Sequence, residues 1–142
     1  RQLYVINTGG GEARALTALH GDLDAPVWSP DGREIAFTFT EAQPSPIVPG
    51  ADQRVEDESP RYGRVFALNV ETGALRALTP DGYPVHEFAS SPDGNWLAYG
   101  FARTSQTTAI KLLTLASGEP QYAAEPVLHD TSPAIHPEGK SL

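Results

Sequence analysis

The chain has 142 residues, 10 basic and 18 acidic, for a formal net charge of −8. That length allows one ordinary domain, and the acidic balance argues against a nucleic-acid partner, which needs a clustered positive face. With no cysteine there is no disulfide, thiolate metal site or cysteine nucleophile, and apolar runs of only a few residues exclude a membrane-spanning helix. The 13 glycines and 13 prolines punctuate a chain that is still 39% hydrophobic, so it reads as folded rather than disordered. Lack of methionine, a start on Arg1 and a stop at Leu142 just after a turn signal are what a segment of a longer polypeptide would show; no signal-peptide pattern is present.

Taken in chain order, the short apolar pieces form a pattern. Leu3-Tyr4-Val5-Ile6-Asn7 leads through Gly9-Gly10-Gly11 to Arg14-Ala15-Leu16-Thr17. Residues 25–29 then run into Ser29-Pro30-Asp31-Gly32, followed by a strand over 34–39. Residues 41–63 stand apart, with four prolines and several charges. After them, Val65-Phe66-Ala67-Leu68-Asn69 leads through Glu71-Thr72-Gly73 to Arg76-Ala77-Leu78-Thr79. Ala89-Ser90, Ser91-Pro92-Asp93-Gly94 and Trp96-Leu97-Ala98-Tyr99 repeat the middle element. Ile110-Lys111-Leu112-Leu113-Thr114, Ala116-Ser117-Gly118 and a degenerate Tyr122-Ala123-Ala124 repeat the first, and Ala134-Ile135-His136-Pro137-Glu138-Gly139 begins the middle element again.

Pro92 and Pro137 stand 45 positions apart and Pro30 and Pro92 stand 62 apart. Setting the excess at 41–63 aside leaves a period of roughly 42, the length of a four-stranded propeller blade. The pieces are β-rich, bounded by Gly, Pro, Asp or Asn, and carry no sustained helical period. In Ser-Pro-Asp-Gly, proline pre-sets the first corner, aspartate tolerates the second and glycine takes the left-handed position, which makes a hairpin turn.

The predicted fold is therefore all-β, built of four-stranded antiparallel propeller blades with strands A to D. It amounts to about three blades' worth. Residues 1–19 supply strands C and D of one blade, 20–79 a complete blade with the insertion at 41–63, 80–128 a second complete blade, and 129–142 strands A and B of the next. A closed ring needs about four to eight blades. The half-blades leave open strand edges, so the isolated chain is expected to self-associate, strands A and B of one copy completing C and D of another.

The repeat Leu-Tyr-Val, Gly, Leu-Thr, Trp-Ser-Pro-Asp-Gly, Ile-Ala-Phe resembles the TolB-like propeller repeat. The same repeat occurs in the N-terminal propeller of prolyl oligopeptidase-family serine peptidases, including acylaminoacyl peptidases and dipeptidyl peptidases. The stretch Asp57-Glu58-Ser59-Pro60 before Arg64-Val65-Phe66 is similar to the linker those propellers place before a strand. The resemblance implies a separate α/β-hydrolase domain in the same parent chain, peptide substrates, no cofactor, and a propeller that covers the active-site entrance. It implies a cytoplasmic peptidase; a TolB-like protein-binding module, periplasmic, is the alternative. The departures are Ala89-Ser90-Ser91 for the usual Ala-Trp-Ser, and His136 for the serine of the third turn.

No catalytic, cofactor or metal constellation is predicted within the chain itself. Gly139-Lys140-Ser141 begins a nucleophile elbow without completing it, and it falls in a predicted hairpin. Residues 134–141 fit a relaxed phosphate-loop pattern, but Pro137 removes a backbone donor and no helix follows. Gly9-Gly10-Gly11 aligns with hairpin turns. Asp31, Asp93 and Glu138 each stand alone in a turn, where calcium needs several clustered oxygens. Trp28 and Trp96 are read as inter-blade core.

The structural turn residues are Ser29, Pro30, Asp31, Gly32, Ser91, Pro92, Asp93, Gly94, Pro137 and Gly139. The B–C and D–A connections fall on the opposite face. There Arg54, Asp57, Glu58 and Arg61 of the insertion join His20, His86 and Glu87 as a candidate face for a substrate or partner, since loops carry function more often than strands. A metal site from His20, His86 and His129 is disfavoured, because their offsets from the aligned turns differ.

Overall fold

The structure, a computed structural model, describes residues 1–42, 62–82, 84–104, 107–115, 120–122 and 133–137. Among these residues, ten strands form three antiparallel sheets. β1 (Tyr4–Val5) and β2 (Arg14–Ala15) pair alone; β3 (Gly21–Trp28), β4 (Glu34–Glu41), β5 (Arg64–Asn69) and β6 (Leu75–Ala77) form a four-stranded meander. β7 (Val85–Ser90), β8 (Trp96–Thr104), β9 (Thr107–Thr114) and β10 (Pro120–Tyr122) form the second meander, again in chain order. Insertion residues 43–61, with Arg54, Asp57, Glu58 and Arg61, lie outside the described residues, as do His129, Asp130 and Gly139.

Strand alternation decides how the sheets stack. In β4, Ile35, Phe37 and Phe39 point one way, joined by Leu23 and Leu68, and pack on Leu3, Leu16 and Leu19 of the first unit. Ala36 and Ala67 lie on the other face of the same sheet. There, Leu97, Tyr99, Phe101 and Leu113 of the next sheet pack against Val65, Ala36 and Leu78. Each sheet thus offers bulky residues to the sheet before it and small ones to the sheet after it. The strings Ile35-Ala36-Phe37-Thr38-Phe39 and Leu97-Ala98-Tyr99-Gly100-Phe101-Ala102 carry this rule at period two. Hydrogen bonds to backbone carbonyls lock the stack as well: Val85 N donates to Gly63 O (3.0 Å), and the Arg14 side chain donates through Nη2 to Val70 O (3.2 Å).

Some strand limits differ from expectation. β3 begins at Gly21, four residues earlier than the sequence indicates. Residues 25–29, expected as strand despite Pro26, are joined by 21–24 across a bulge between Asp24 and Val27, with Ala25 at φ 51°. Asp22, Asp24, His86 and Glu87 therefore sit in strands β3 and β7 rather than in connections. The degenerate fourth strand of the second meander is also one position off: Leu112 pairs with Gln121, as Ala67 pairs with Arg76, so Gln121 rather than Tyr122 matches that arginine. Trp28 is 49% exposed instead of core. Its partner Ile35 faces the first unit, and the two-stranded sheet β1–β2 is too small to cover an indole there.

The Leu-Thr pair of the first two repeats has a physical role. Val65 O accepts from Leu78 N (2.8 Å) while Val65 N donates to Thr79 Oγ1 (3.0 Å). Leu3 O and N are held in the same way by Leu16 N and Thr17 Oγ1. The threonine hydroxyl replaces a backbone acceptor where β6 ends. Thr79 is 2% exposed, so Thr79→Val leaves a buried N–H unpaired and is expected to cost about 2 kcal/mol. Thr17→Val, at a wetter site, costs less. Urea unfolding of the two variants checks the order, and equal losses would contradict it.

Candidate functional site

Two repeated turns define one end of the stack. In the first, Ser29 N donates to Glu34 O (2.8 Å) and Gly32 N donates to Ser29 O (2.9 Å). Ser29 Oγ donates to Asp31 Oδ1 (2.6 Å) and accepts from Glu34 N (2.9 Å); Arg33 N donates to Asp31 Oδ1 (3.1 Å). The second turn repeats this: Ser91 Oγ donates to Asp93 and accepts from Trp96 N (2.9 Å), and Asn95 N donates to Asp93 Oδ1 (3.1 Å). Asn95 Nδ2 adds a bond to Asp93 Oδ2 (2.9 Å). Gly32 and Gly94 have φ of 69° and 73°, the left-handed corner that glycine occupies without strain. The turns touch: a Cβ placed on Gly94 would lie 3.3 Å from Pro30 Cδ.

These bonds favour the charged carboxylates. The Ser29 hydroxyl first, then the Arg33 amide, holds Asp31 below its ordinary value of 3.8. The Ser91 hydroxyl, then the backbone and side chain of Asn95, do the same for Asp93. A depressed folded-state pKa gives stability that is present above pH 3.8 and is lost as pH falls through the lower folded value. Both groups are fully solvated, so the effect is small. Urea midpoints between about pH 5 and pH 2 are expected to fall less steeply in an Asp31→Asn, Asp93→Asn double variant than in the parent. Parallel slopes would rule these turns out as the source.

Behind the turns, the facing sheets leave a cleft of about 200 Å³. Val27, Ala36, Ala67, Leu78, Leu97 and Leu115 line its apolar part, and Trp28 borders it. Glu34 and Arg76 stand at its rim, paired at 2.8 Å between Glu34 Oε2 and Arg76 Nη2. Asp31 and Asp93 border it too.

The opposite end holds the described part of the face expected from the sequence. His20 O accepts from Ala42 N (2.9 Å), where the insertion departs. His86 is exposed at a bulge between Val85 and Glu87. Among the described residues, no group of three or more His, Asp or Glu side chains could hold a metal ion. Sequence reasoning missed the cleft. The one signal for it was Ser90 standing where the repeat has tryptophan.

Four-stranded meanders stacked face to face, with the first strand of each running into a Ser-Pro-Asp-Gly turn, make this chain a segment of a TolB-like β-propeller. TolB from Acinetobacter baumannii superposes with a TM-score of 0.68 at 17% identity, over 98% of this chain and 30% of that one. A protein of Agrobacterium tumefaciens assigned as TolB gives a TM-score of 0.56 at 20% identity, over 87% and 38%. No protein-family model matches the chain. The sequence relatives are peptidases by name. An uncharacterized peptidase of Bacillus subtilis, YuxL, is 28% identical over 78% of this chain and 20% of its own length. A protein of Sulfurisphaera tokodaii assigned as a Tricorn-like protease C-terminal subunit is 26% identical over 93% of this chain and 13% of its own. The chain thus spans a fifth or less of the curated relatives it matches.

Proposed function

We propose that this chain is a non-catalytic propeller segment of a serine peptidase of the prolyl oligopeptidase type, where it gates and positions peptide substrates for a separate α/β-hydrolase domain. The observation that carries the reading is its similarity to the Bacillus peptidase, across most of a chain whose described residues form only propeller strands and turns. Blades stacked around a channel exclude folded chains by size and admit extended ones. The reading places the parent in the cytoplasm.

The test is to extend the source coding sequence beyond Leu142 and assay the parent polypeptide. A downstream Gly-x-Ser-x-Gly, labelling by a fluorophosphonate, and cleavage of a short peptide but not of the same peptide inside a folded domain are expected. A parent with no such motif and no labelling overturns the reading. It would favour a TolB-like, periplasmic protein-binding module, for which the fit to TolB over 98% of the chain is the motive.

The open edges support a partner proposal as well. Tyr4 in β1 and Ile6 just after it are 62% and 60% exposed, and β1 pairs on one side only among the described residues. Such an edge accepts another strand. The isolated chain is expected to run as a head-to-tail or strand-swapped dimer in light scattering; a stable monomer would end this idea.

A further inference from the structure

We infer that the cleft between the two four-stranded sheets is a binding site for an aromatic side chain of indole size, carried by a peptide with a basic residue beside it. The argument begins with the repeat. Ser29 and Ser91 are equivalent, so Trp28 and Ser90 are equivalent. Trp28 pairs with Ile35 and Ser90 with Leu97, the same register in both sheets. Cross-strand partners share a face. Ile35 faces the unit before it, and Leu97 faces the sheet before it. Ser90 therefore lies where the repeat would insert an indole between adjacent sheets, and the cleft is the space left by that ring.

Size and lining agree with this. Apolar cavities of about 150 Å³ bind benzene, and this cleft holds about 200 Å³. Ala36 and Ala67, with Val27 beside Ala36 and Trp28 at the edge, form one wall, and Leu97 and Leu115 form the other. A flat ring between two such walls makes dispersion contacts on both faces. The charges at the mouth select what carries the ring. Asp31, Glu34 and Asp93 bring three carboxylates and Arg76 one guanidinium. Hydrogen bonds hold Asp31 and Asp93 in the charged form. A lysine or arginine next to the ring meets this net negative rim favourably.

The peptides Lys-Trp-Lys, Glu-Trp-Glu and Lys-Ala-Lys, titrated into the chain and followed by amide chemical shifts, test the site. Saturable shifts at Ala36, Ala67 and Leu97 are expected with Lys-Trp-Lys, at least tenfold tighter than with either other peptide. Ser90→Trp, which fills the space from within, is expected to abolish those shifts. Equal binding of Lys-Trp-Lys and Lys-Ala-Lys, or no saturation, overturns the inference, as does unchanged binding by a folded Ser90→Trp. Should that variant not fold, Ser90→Leu narrows the same space and must weaken Lys-Trp-Lys at least threefold. The comparison of wild-type peptides decides in either case, and it does not depend on the parent being a peptidase.

Discussion

Phe37→Ala is expected to remove about 4 kcal/mol of stability, the largest loss from any single truncation here. Phe37 is 0% exposed at the centre of β4. Its ring stacks on Phe66 across the strand pair, centroids 6.4 Å apart, and Phe66 meets Phe39 edge-on at 5.9 Å. Two effects compete for the explanation. The aromatic pair supplies about 1 kcal/mol beyond burial, whereas emptying a sealed site costs the transfer energy plus a cavity. The cavity term dominates, because strands on both sides of β4 hold the walls apart. Phe37→Leu separates the two: it loses the ring contact but keeps most of the volume, and it should cost about half as much. A domain of this size has about 5–15 kcal/mol in total, so the alanine variant should sit near its unfolding threshold. Urea midpoints check both values; a loss below about 1 kcal/mol for the alanine variant would show that the two sheets collapse onto the gap.

Gly21→Ala is expected to cost about 3 kcal/mol through backbone, not through packing. Gly21 opens β3 with φ of 154°. A Cβ there would lie 2.1 Å from Thr40 O, 2.8 Å from Phe39 Cε2 and 2.9 Å from Ala42 N. Two of those atoms are main chain, so no rotamer change relieves the clash. The end of the β3–β4 pairing, Gly21 with Glu41 and Asp22 with Thr40, must open. This is the end of the sheet that leads into the insertion, where Ala42 N also donates to His20 O. Faster amide exchange confined to Thr40–Ala42 is the expected signature. Uniform exchange across β4 would point to global destabilisation instead.

Much of this fold was legible because its chemistry is local and repeated. Ser29-Pro30-Asp31-Gly32 and Ser91-Pro92-Asp93-Gly94 build their turns from their own side chains and amides, with no help from distant parts of the chain. Asn69 does the same in the turn before β6, accepting from Glu71 N (3.1 Å) and Thr72 N (2.9 Å). The peptidase-type reading rested on these repeats too, and peptidase relatives match the chain at low identity. Other features were misread for a physical reason. Gly21-Asp22-Leu23-Asp24 has too many polar residues to announce a strand, and pairing with β4 beyond the bulge claims it for β3. Trp28 has the composition of core but lacks a large sheet to cover it, and no local rule counts what lies opposite. His86 and Glu87 read as loop because polar residues near a proline look like one, yet pairing with β8 claims them for a strand.

By itself the sequence determined the repeat, the four-stranded unit, the turn conformations and the alternation of bulky and small side chains. Those follow from bonds within a few residues and from the two-residue period of a strand. Only the tertiary structure decided the cap of Thr79 on Val65, the clash that reserves position 21 for glycine, and the cleft where Ser90 replaces an indole. Each of these depends on what a second strand or sheet places opposite, a distance between residues far apart in the chain that no local pattern encodes.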